Sequence, residues 1–260
     1  MLNNNNNLYK IYNKWFKVIE VKTSEQLKEV YHLRYKVYCI ECGFENAIPN
    51  HPFLELDEYD SNSVHCALIF KPTNEFVGTA RVILPNIKDP NNSFPLQKLC
   101  KDPDIKNKNI FPINKMGEFS RFCISSKFDE YLENLKYEYK IGRNNYHISK
   151  FEKKIILSNL SIGLIKGLFE LNIKNNLTHM CAEMEPFLIK ILLNLGIHFK
   201  FLGPTIKYHG IRQPCMNDLI TMFNDIKKYR PDVYKYVTNK GALSDKLKKL
   251  INSNKKYEKI

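Results

Sequence analysis

Charged side chains occur in four segments of the chain that are apolar or lie beside apolar strands. The residues concerned are Arg34, Asp57, Asp60, Arg81, Glu118 and Arg121. In a sheet covered by helices an unpaired charge costs about 3–5 kcal/mol, so these arginines require acidic partners. Charge clusters of this kind tune pKa values in active sites, and they also form structural ion networks. The spacing of the residues leaves both interpretations open.

Glu118 and Arg121 present a specific conflict, because they are three residues apart on one predicted strand. An ideal strand directs such residues to opposite faces of the sheet. Either each side chain has a separate partner or a bulge brings the two together, and bulges are over-represented beside active sites. The spacing therefore predicts a distorted strand or two separate sets of contacts.

The cysteines and histidines indicate neither a metal site nor a catalytic triad. Seven cysteines are present, an odd number that favours reduced thiols over a disulfide framework. Cys39 and Cys42 have redox or metal spacing, but no second such pair follows to complete a tetrahedral site. The isolated histidines are expected to be packed or surface residues. They are His32, His65, His179 and His209.

Apolar patterning and turn residues predict the elements that position these side chains. Thr23 and Gln26 form a capping box that opens a helix reaching about residue 42. The predicted strands are 16–21, 64–70, 76–84, 118–124 and 179–184, with short strands at 199–202 and 206–208. Further helices are predicted at 151–171 and 186–195, and the chain after residue 208 is predicted to be helical and basic. The long irregular stretch 85–115 is expected to be functional or a lid.

This element order is typical of an α/β fold whose first half is mostly antiparallel. Residues 1–14 are expected to form a disordered polar leader, 15–220 one α/β domain, and 221–260 a basic helical C-terminal extension.

The formal charge of +13 favours an acidic partner, although an Asn- and Lys-rich composition also explains it. Lysines interleave with aromatic residues near residues 227–236, but on helices this pattern indicates a packed stripe beside a solvated face. We therefore expect no nucleic-acid partner. The sequence has no apolar run of about 18 residues, so no transmembrane segment is predicted. No secretory signal is evident. A cytoplasmic protein is expected, and peripheral contact with a membrane is compatible with the charge.

Several motifs occur in a characteristic order. Leu33–Tyr38, Asp57–Asp60, Val77–Arg81 and Glu118–Phe122 resemble those of the acyl-homoserine-lactone synthases. Those enzymes are N-acyltransferases of the acetyltransferase (GNAT) superfamily that take acyl chains from acyl carrier protein. Later motifs are similar to those of exosortase-system-associated acyltransferases and long-chain N-acyl amino acid synthases. They are Glu183–Pro186, Leu195–Gly196, Leu202–Pro204 and Tyr208–Pro214. The resemblance covers residues 16–219.

The resemblance implies a GNAT-like fold with a mixed central sheet flanked by helices. It also implies a charged cleft in which Glu118 accepts the proton of the attacking amine and Arg34 holds the carboxylate of the acceptor. A backbone N–H would polarise the thioester carbonyl where strand 118–124 diverges from strand 179–184. The implied catalytic residues are Glu118, Arg121, Asp57, Asp60 and Arg81. The implied substrate-binding residues are Arg34, Tyr38, Phe44 and Phe122. Helix 155–171 and loop 94–111 are candidates for an acyl tunnel, with core packing as the alternative.

Two departures from the family pattern affect the substrates. Glu41 and Phe44 stand where the lactone synthases usually carry Arg and Trp, which help to hold S-adenosylmethionine. The acceptor is therefore expected to be an amino acid or related small amine. The glycine-rich pyrophosphate loop of coenzyme A enzymes is replaced by Ser125–Phe128. This favours phosphopantetheine on acyl carrier protein as the donor, with no resident cofactor or metal.

Three alternatives to this function stay open. The first is acyl-homoserine-lactone synthesis from S-adenosylmethionine. The second is a non-catalytic protein that binds acyl chains or carrier protein. The third is nucleic-acid binding through the basic C-terminal third, which ranks last because its lysines follow a helical pattern.

Overall fold

The computed structural model describes residues 7–46, 52–134, 138–141 and 144–257. Its helices, in chain order, are α1 (Asn7–Trp15), α2 (Ser24–Arg34), α3 (Pro95–Leu99), α4 (Ser126–Asn134), α5 (Lys150–Ser158), α6 (Ile162–Lys174), α7 (Pro186–Asn194), α8 (Leu219–Tyr229), α9 (Pro231–Val237) and α10 (Ala242–Tyr257). Its strands are β1 (Phe16–Glu20), β2 (Ser63–Phe70), β3 (Glu75–Ile83), β4 (Met116–Ile124), β5 (Glu138–Ile141), β6 (Asn144–His147), β7 (His179–Met184), β8 (Lys200–Phe201), β9 (Ile206–Lys207) and β10 (Ile211–Asp218).

The central sheet is mixed and has the strand order β1-β2-β3-β4-β7-β10-β8, with β9 paired to β10. Strands β1 and β2 are antiparallel, as are β7 and β10. Strands β4 and β7 are parallel, with a register that runs from Met116 opposite His179 to Glu118 opposite Cys181. Helices flank this sheet, so the predicted α/β class, mixed sheet and helical C-terminal part are confirmed. Strands β5 and β6 form a separate antiparallel hairpin.

The chain divides into two compact units. The first comprises Met1–Leu56, His65–Ala80 and Arg121–Gly167, and the second comprises Asp57–Val64, Arg81–Ser120 and Leu168–Ile260. Strands β2, β3 and β4 each contribute residues to both units. The predicted boundaries at residues 15 and 220 do not coincide with this division.

In the first unit, the predicted disordered leader is wrong for the residues that the structure describes. Helix α1 begins at Asn7 and buries Leu8, Ile11, Tyr12 and Trp15. These positions follow the spacing of one helical face, and the hydroxyl of Tyr12 donates to the carbonyl of Leu160. The asparagine-rich start of the chain obscured this apolar face, and residues 1–6 lie outside the described residues.

Helix α2 begins at the predicted capping box. Gln26 N–H donates to the Thr23 hydroxyl at 3.2 Å, and the Gln26 side chain accepts from Thr23 N–H at 3.3 Å. Beyond Arg34 the helix continues as a π-helical segment, Tyr35–Glu41. Such segments are frequent at functional sites, and this one carries Tyr38 and ends at Glu41.

The predicted helix 151–171 consists of two helices, α5 and α6, bent by 49°. Among the described residues no single helix has the length and hydropathy to cross a bilayer. The two helices of this bent pair together have sufficient length and apolar composition. Its apolar residues include Ile156, Leu164 and Leu168, which are buried in the protein. The composition of the pair is therefore accounted for by core packing.

In the second unit, strand β10 corrects the prediction that the chain after residue 208 is helical. Pro214 weakens the strand pattern of this segment, because proline cannot donate to a ladder. Its carbonyl accepts from Leu202 N–H at 2.9 Å, next to the short strand β8. The N and C=O groups of one strand residue point to the same side of the strand. The nitrogen of Pro214, which carries no hydrogen, therefore faces β8 and not β7. Residues Gln213–Asp218 therefore pair with the whole of β7, from Gln213 opposite Met184 to Asp218 opposite His179.

Candidate active site

A pair of buried carboxyl groups lies on strands β4 and β7 in the second unit. Glu118 is fully buried, and its Oε2 accepts a hydrogen bond from Leu96 N–H at 3.1 Å. The carboxyl groups of Glu118 and Glu183 lie close enough for each to affect the pKa of the other. Glu183 is partly exposed as a residue, but its Oε1 is buried. We call Glu118 and Glu183 the carboxyl pair.

The carboxyl pair favours retention of a proton. Burial raises the pKa of Glu118 well above its usual range, and the neighbouring Glu183 raises it further. Burial also raises the pKa of Glu183 to about 7. Two carboxylates this close disfavour each other's ionisation, so they titrate as one coupled unit. Such a unit can accept or donate a proton near neutral pH.

Arg81 is the centre of a second arrangement in the same unit. Its Nη1 donates to Asp57 Oδ1 at 2.6 Å and to Asp60 Oδ1 at 2.9 Å, and its Nη2 donates to Asp57 Oδ2 at 2.9 Å. Its Nε donates to the Ser120 hydroxyl at 2.9 Å. The acids are held by a reciprocal cap, in which Asp60 Oδ2 accepts from Asp57 N–H at 2.8 Å. The predicted need of Arg81 for acidic partners is thereby met.

The first unit contains a separate ion cluster. Glu55 is buried and bridges two arginines, accepting from Arg34 Nε through Oε2 and from Arg121 Nε at 3.0 Å through Oε1. Arg121 Nη2 also donates to Glu45 Oε1 at 3.2 Å. Two arginines thus face two glutamates. Because Arg34 is fully buried and committed to Glu55, its placement argues against the predicted role in holding a carboxylate of the acceptor.

Strand β4 is distorted where the spacing of Glu118 and Arg121 predicted it. Arg121 has φ of 49°, in the left-handed region that non-glycine residues rarely adopt in strands. This conformation interrupts the alternation of side chains, and the two residues also have separate partners. Such strain costs about 1–3 kcal/mol and concentrates at functional sites.

The structure places the remaining predicted substrate-binding residues in the first unit. Tyr38 packs beside Leu33, Val37 and Cys123, and its ring lies 5.6 Å from the Arg121 guanidinium. Burial raises the pKa of the Tyr38 phenol well above its usual range. Phe44 is exposed, and Phe122 on β4 is half-buried.

Glu41 occupies the N-terminus of helix α4. Its Oε2 accepts from Ser126 N–H at 3.0 Å and from the Ser126 hydroxyl at 2.9 Å, while its Oε1 accepts from the Ser125 hydroxyl at 3.1 Å. A helix N-terminus attracts anions through its free N–H groups and its dipole. Here the chain supplies that anion itself, at the residue that departs from the lactone-synthase pattern.

Sequence reasoning missed the roles of three acids, Glu45, Glu55 and Glu183. Glu183 stands in the apolar strand His179–Met184, and a charge in such a strand was the same signal that identified Glu118. No local pattern distinguishes Glu55 from the more exposed Glu58 nearby in the sequence. Their roles depend on contacts between segments distant in the chain.

Comparisons with known proteins place this site within a known fold. Residues 33–131 match the family described as the acetyltransferase (GNAT) domain. No curated protein matches the chain.

Three solved structures share the fold at low sequence identity. The AHL synthase LasI has a TM-score of 0.52 at 16% identity, over 81% of this chain and 96% of its own. The CoA-dependent acyl-homoserine lactone synthase BjaI, with SAM and isopentyl-CoA, has a TM-score of 0.51 at 14% identity, over 86% and 88%. FeeM, an N-acyl amino acid synthase from uncultured soil microbes, has a TM-score of 0.51 at 12% identity, over 81% and 95%. The chain therefore has the GNAT fold, and residues 33–131 are similar to the acetyltransferase (GNAT) domain.

Proposed function

We propose that this chain is an N-acyltransferase that moves a fatty acyl group from an acyl-carrier-protein thioester to the amine of an amino acid or related small molecule. The observation that carries the proposal is the buried carboxyl pair on β4 and β7, within a fold of acyltransferases. Amide formation from a thioester must remove one proton from the attacking nitrogen, and a carboxyl group that titrates near neutral pH suits that task. The seven free thiols fit a reducing cytoplasm.

The reaction proposed is direct transfer. The amine nitrogen attacks the thioester carbon, Glu118 accepts the nitrogen's proton directly or through one water, and the carbon–sulfur bond breaks. Glu118 is held by Leu96 N–H, so its carboxyl is oriented before substrate binds. Apolar side chains surround this region and exclude water. They include Ile83, Phe94, Phe111 and Met116. Because Phe94 and Phe111 are fully buried, packing accounts for these two side chains of the predicted acyl tunnel.

The choice of acceptor rests on Glu41 and Phe44. A carboxylate at position 41 is committed to the start of α4 and cannot replace the arginine of the lactone synthases. FeeM, which shares the fold, is described as an N-acyl amino acid synthase. These observations favour an amino acid over S-adenosylmethionine, which is the alternative acceptor.

Cells that express the protein are expected to accumulate an N-acyl amino acid or a related N-acyl amine, detected by mass spectrometry of lipid extracts. The control is the Glu118→Gln variant, which should lose the product. In vitro, release of methylthioadenosine together with an acyl-lactone would assign the lactone-synthase activity instead. If the wild-type protein binds carrier protein but turns over no acyl thioester, the non-catalytic alternative would be assigned.

The donor is expected to be acyl carrier protein rather than acyl-coenzyme A. The N–H of Ser126 at the start of α4 is engaged by Glu41, and the net charge of +13 suits an acidic carrier. We expect kcat/KM to be at least about tenfold higher for the carrier-bound acyl chain than for the matched coenzyme A thioester, and to fall with rising salt. Equal kcat/KM values for both donors at moderate salt would contradict this expectation. Use of coenzyme A has a precedent in this fold, because BjaI is described as a CoA-dependent enzyme.

A further inference from the structure

Resting on the proposed function, we propose that Glu183 is a second catalytic residue, which shares one proton with Glu118. The carboxyl pair then takes the proton of the attacking amine and supplies one to the departing thiolate. This role goes beyond a single general base on β4, because it requires both strands and a fixed proton count.

Strand geometry brings the two carboxyl groups together. The parallel register places Glu118 opposite Cys181. Glu183 follows Cys181 by two residues and therefore projects from the same face of β7. The two glutamate side chains therefore extend from neighbouring strands on the same face of the sheet, with Glu183 beyond Cys181. The pair is thus a consequence of register and not of local sequence.

The buried oxygen atoms favour a shared proton. Within the described residues, Glu118 Oε1 and Glu183 Oε1 are buried and have no hydrogen-bond donor. Ionised carboxylates only accept hydrogen bonds, so two ionised groups would leave both oxygens unsatisfied next to each other. A single proton between the groups satisfies both. Leu96 N–H, which donates to Glu118 Oε2, helps to stabilise the remaining negative charge.

The surroundings keep this proton count. Arg81 is paired with Asp57 and Asp60. Because these three residues together carry one more negative than positive charge, they supply little positive charge to the carboxyl pair. Arg212 on β10 favours the ionised form of Glu183. Burial raises the pKa values of the nearby thiols and keeps them uncharged. These are Cys100 after α3, Cys181 on β7 and Cys215 on β10.

The proton balance of the reaction closes within the pair. The pair rests with one proton on Glu118 and a carboxylate on Glu183. Transfer of this proton to Glu183 leaves Glu118 as the base. The carbon–nitrogen bond forms as Glu118 takes the amine proton, and the carbon–sulfur bond breaks as Glu183 gives its proton to the thiolate. These two transfers restore the initial state. The products are an amide and a free thiol.

The test is Glu183→Gln, with Glu185→Gln as the matched control. Glu185 is an exposed residue, and its carboxylate lies 3.8 Å from Arg212. We expect Glu183→Gln to lower kcat by about 10²–10⁴ and Glu185→Gln to leave it unchanged. The pH profile of kcat should change from two limbs in the wild type to one limb in Glu183→Gln. One limb reports the first ionisation of the pair, and the other reports the loss of its last proton. The double variant with Glu118→Gln should be no slower than the slower single variant, since the residues act as a unit.

A second measurement is independent of turnover. Isotope-edited infrared spectroscopy of the wild type at neutral pH should show one protonated carboxyl group, which disappears in the double variant. If the spectrum shows this proton while no acyl thioester reacts, the proposed function fails and the shared proton stands. A folded Glu183→Gln variant with wild-type kcat and both limbs of the profile, or a wild type without the protonated carboxyl band, would overturn the inference.

Discussion

Replacement of Glu118 by Gln is expected to lower kcat by about 10²–10⁴ and to leave the fold intact. Glutamine keeps the size of the side chain, still accepts the hydrogen bond of Leu96 N–H and can donate to Glu183. It cannot take up the proton of the amine. Single-turnover kinetics with a pre-formed acyl carrier thioester measure this step apart from product release.

The structure alters what Glu118→Gln should do to stability. If Glu118 were the counter-charge of Arg81 or Arg121, its removal would destabilise the protein by about 3 kcal/mol or more. Arg81 is instead paired with Asp57 and Asp60, and Arg121 with residues of its own unit. The free energy of unfolding should therefore not fall in the variant.

The pH dependence of that stability has a definite sign. The pKa of Glu118 is raised in the folded protein, so folding favours its protonated form. The stability that this form provides is complete below the pKa of the unfolded chain and is lost as pH rises through the folded value. An unfolded glutamate ionises at about pH 4.3. Above this pH the free energy of unfolding of Glu118→Gln should therefore exceed that of the wild type, and at more acidic pH the two values should be equal. Thermal melts across pH check this, and a destabilised variant with normal single-turnover rates would make Glu118 a structural residue.

Replacement of Glu55 by Gln is expected to destabilise the protein by about 3–5 kcal/mol. Glu55 is 3% exposed and lies between Arg121 and the fully buried Arg34. Removing its charge leaves the guanidinium of Arg34 buried without the carboxylate that it contacts. Urea denaturation at constant pH measures the loss, and the urea midpoint should fall while the slope stays constant.

Glu58→Gln is the matched control, because Glu58 lies in the same acidic stretch of sequence. Its side chain is 74% exposed and contacts Lys98 at 3.6 Å. A change below about 0.5 kcal/mol is expected for such a surface pair. Equal losses in the two variants would show that burial of the Arg34–Glu55 pair contributes nothing to stability.

The sequence was sufficient for the features that local patterns determine. The capping box at Thr23, the apolar strands β2 and β3, and the need of Arg81 for acids all follow from nearest neighbours or from the cost of a buried charge. The distortion at Arg121 was foreseen for a similar reason, since a period of two cannot place residues three apart on one face.

The missed features depend on distant segments or on residues that hide a pattern. Glu183 meets Glu118 only because β7 lies parallel to β4 in one register. Glu55 acquires its role from partners on α2 and β4. Helix α1 was hidden by asparagine, and β10 by Pro214, which breaks the usual strand pattern without interrupting its pairing with β7.

The contact between Glu41 and the start of α4 makes donor choice a competition. A tethered carboxylate is present near Ser126 at a local concentration that is commonly in the millimolar range for a short connection. A phosphate from solution binds there only while the carboxylate is displaced, so its apparent dissociation constant is its intrinsic value divided by the displaced fraction. A donor that depends on this helix terminus competes with the protein's own ligand, whereas a donor held by the surface of its carrier does not.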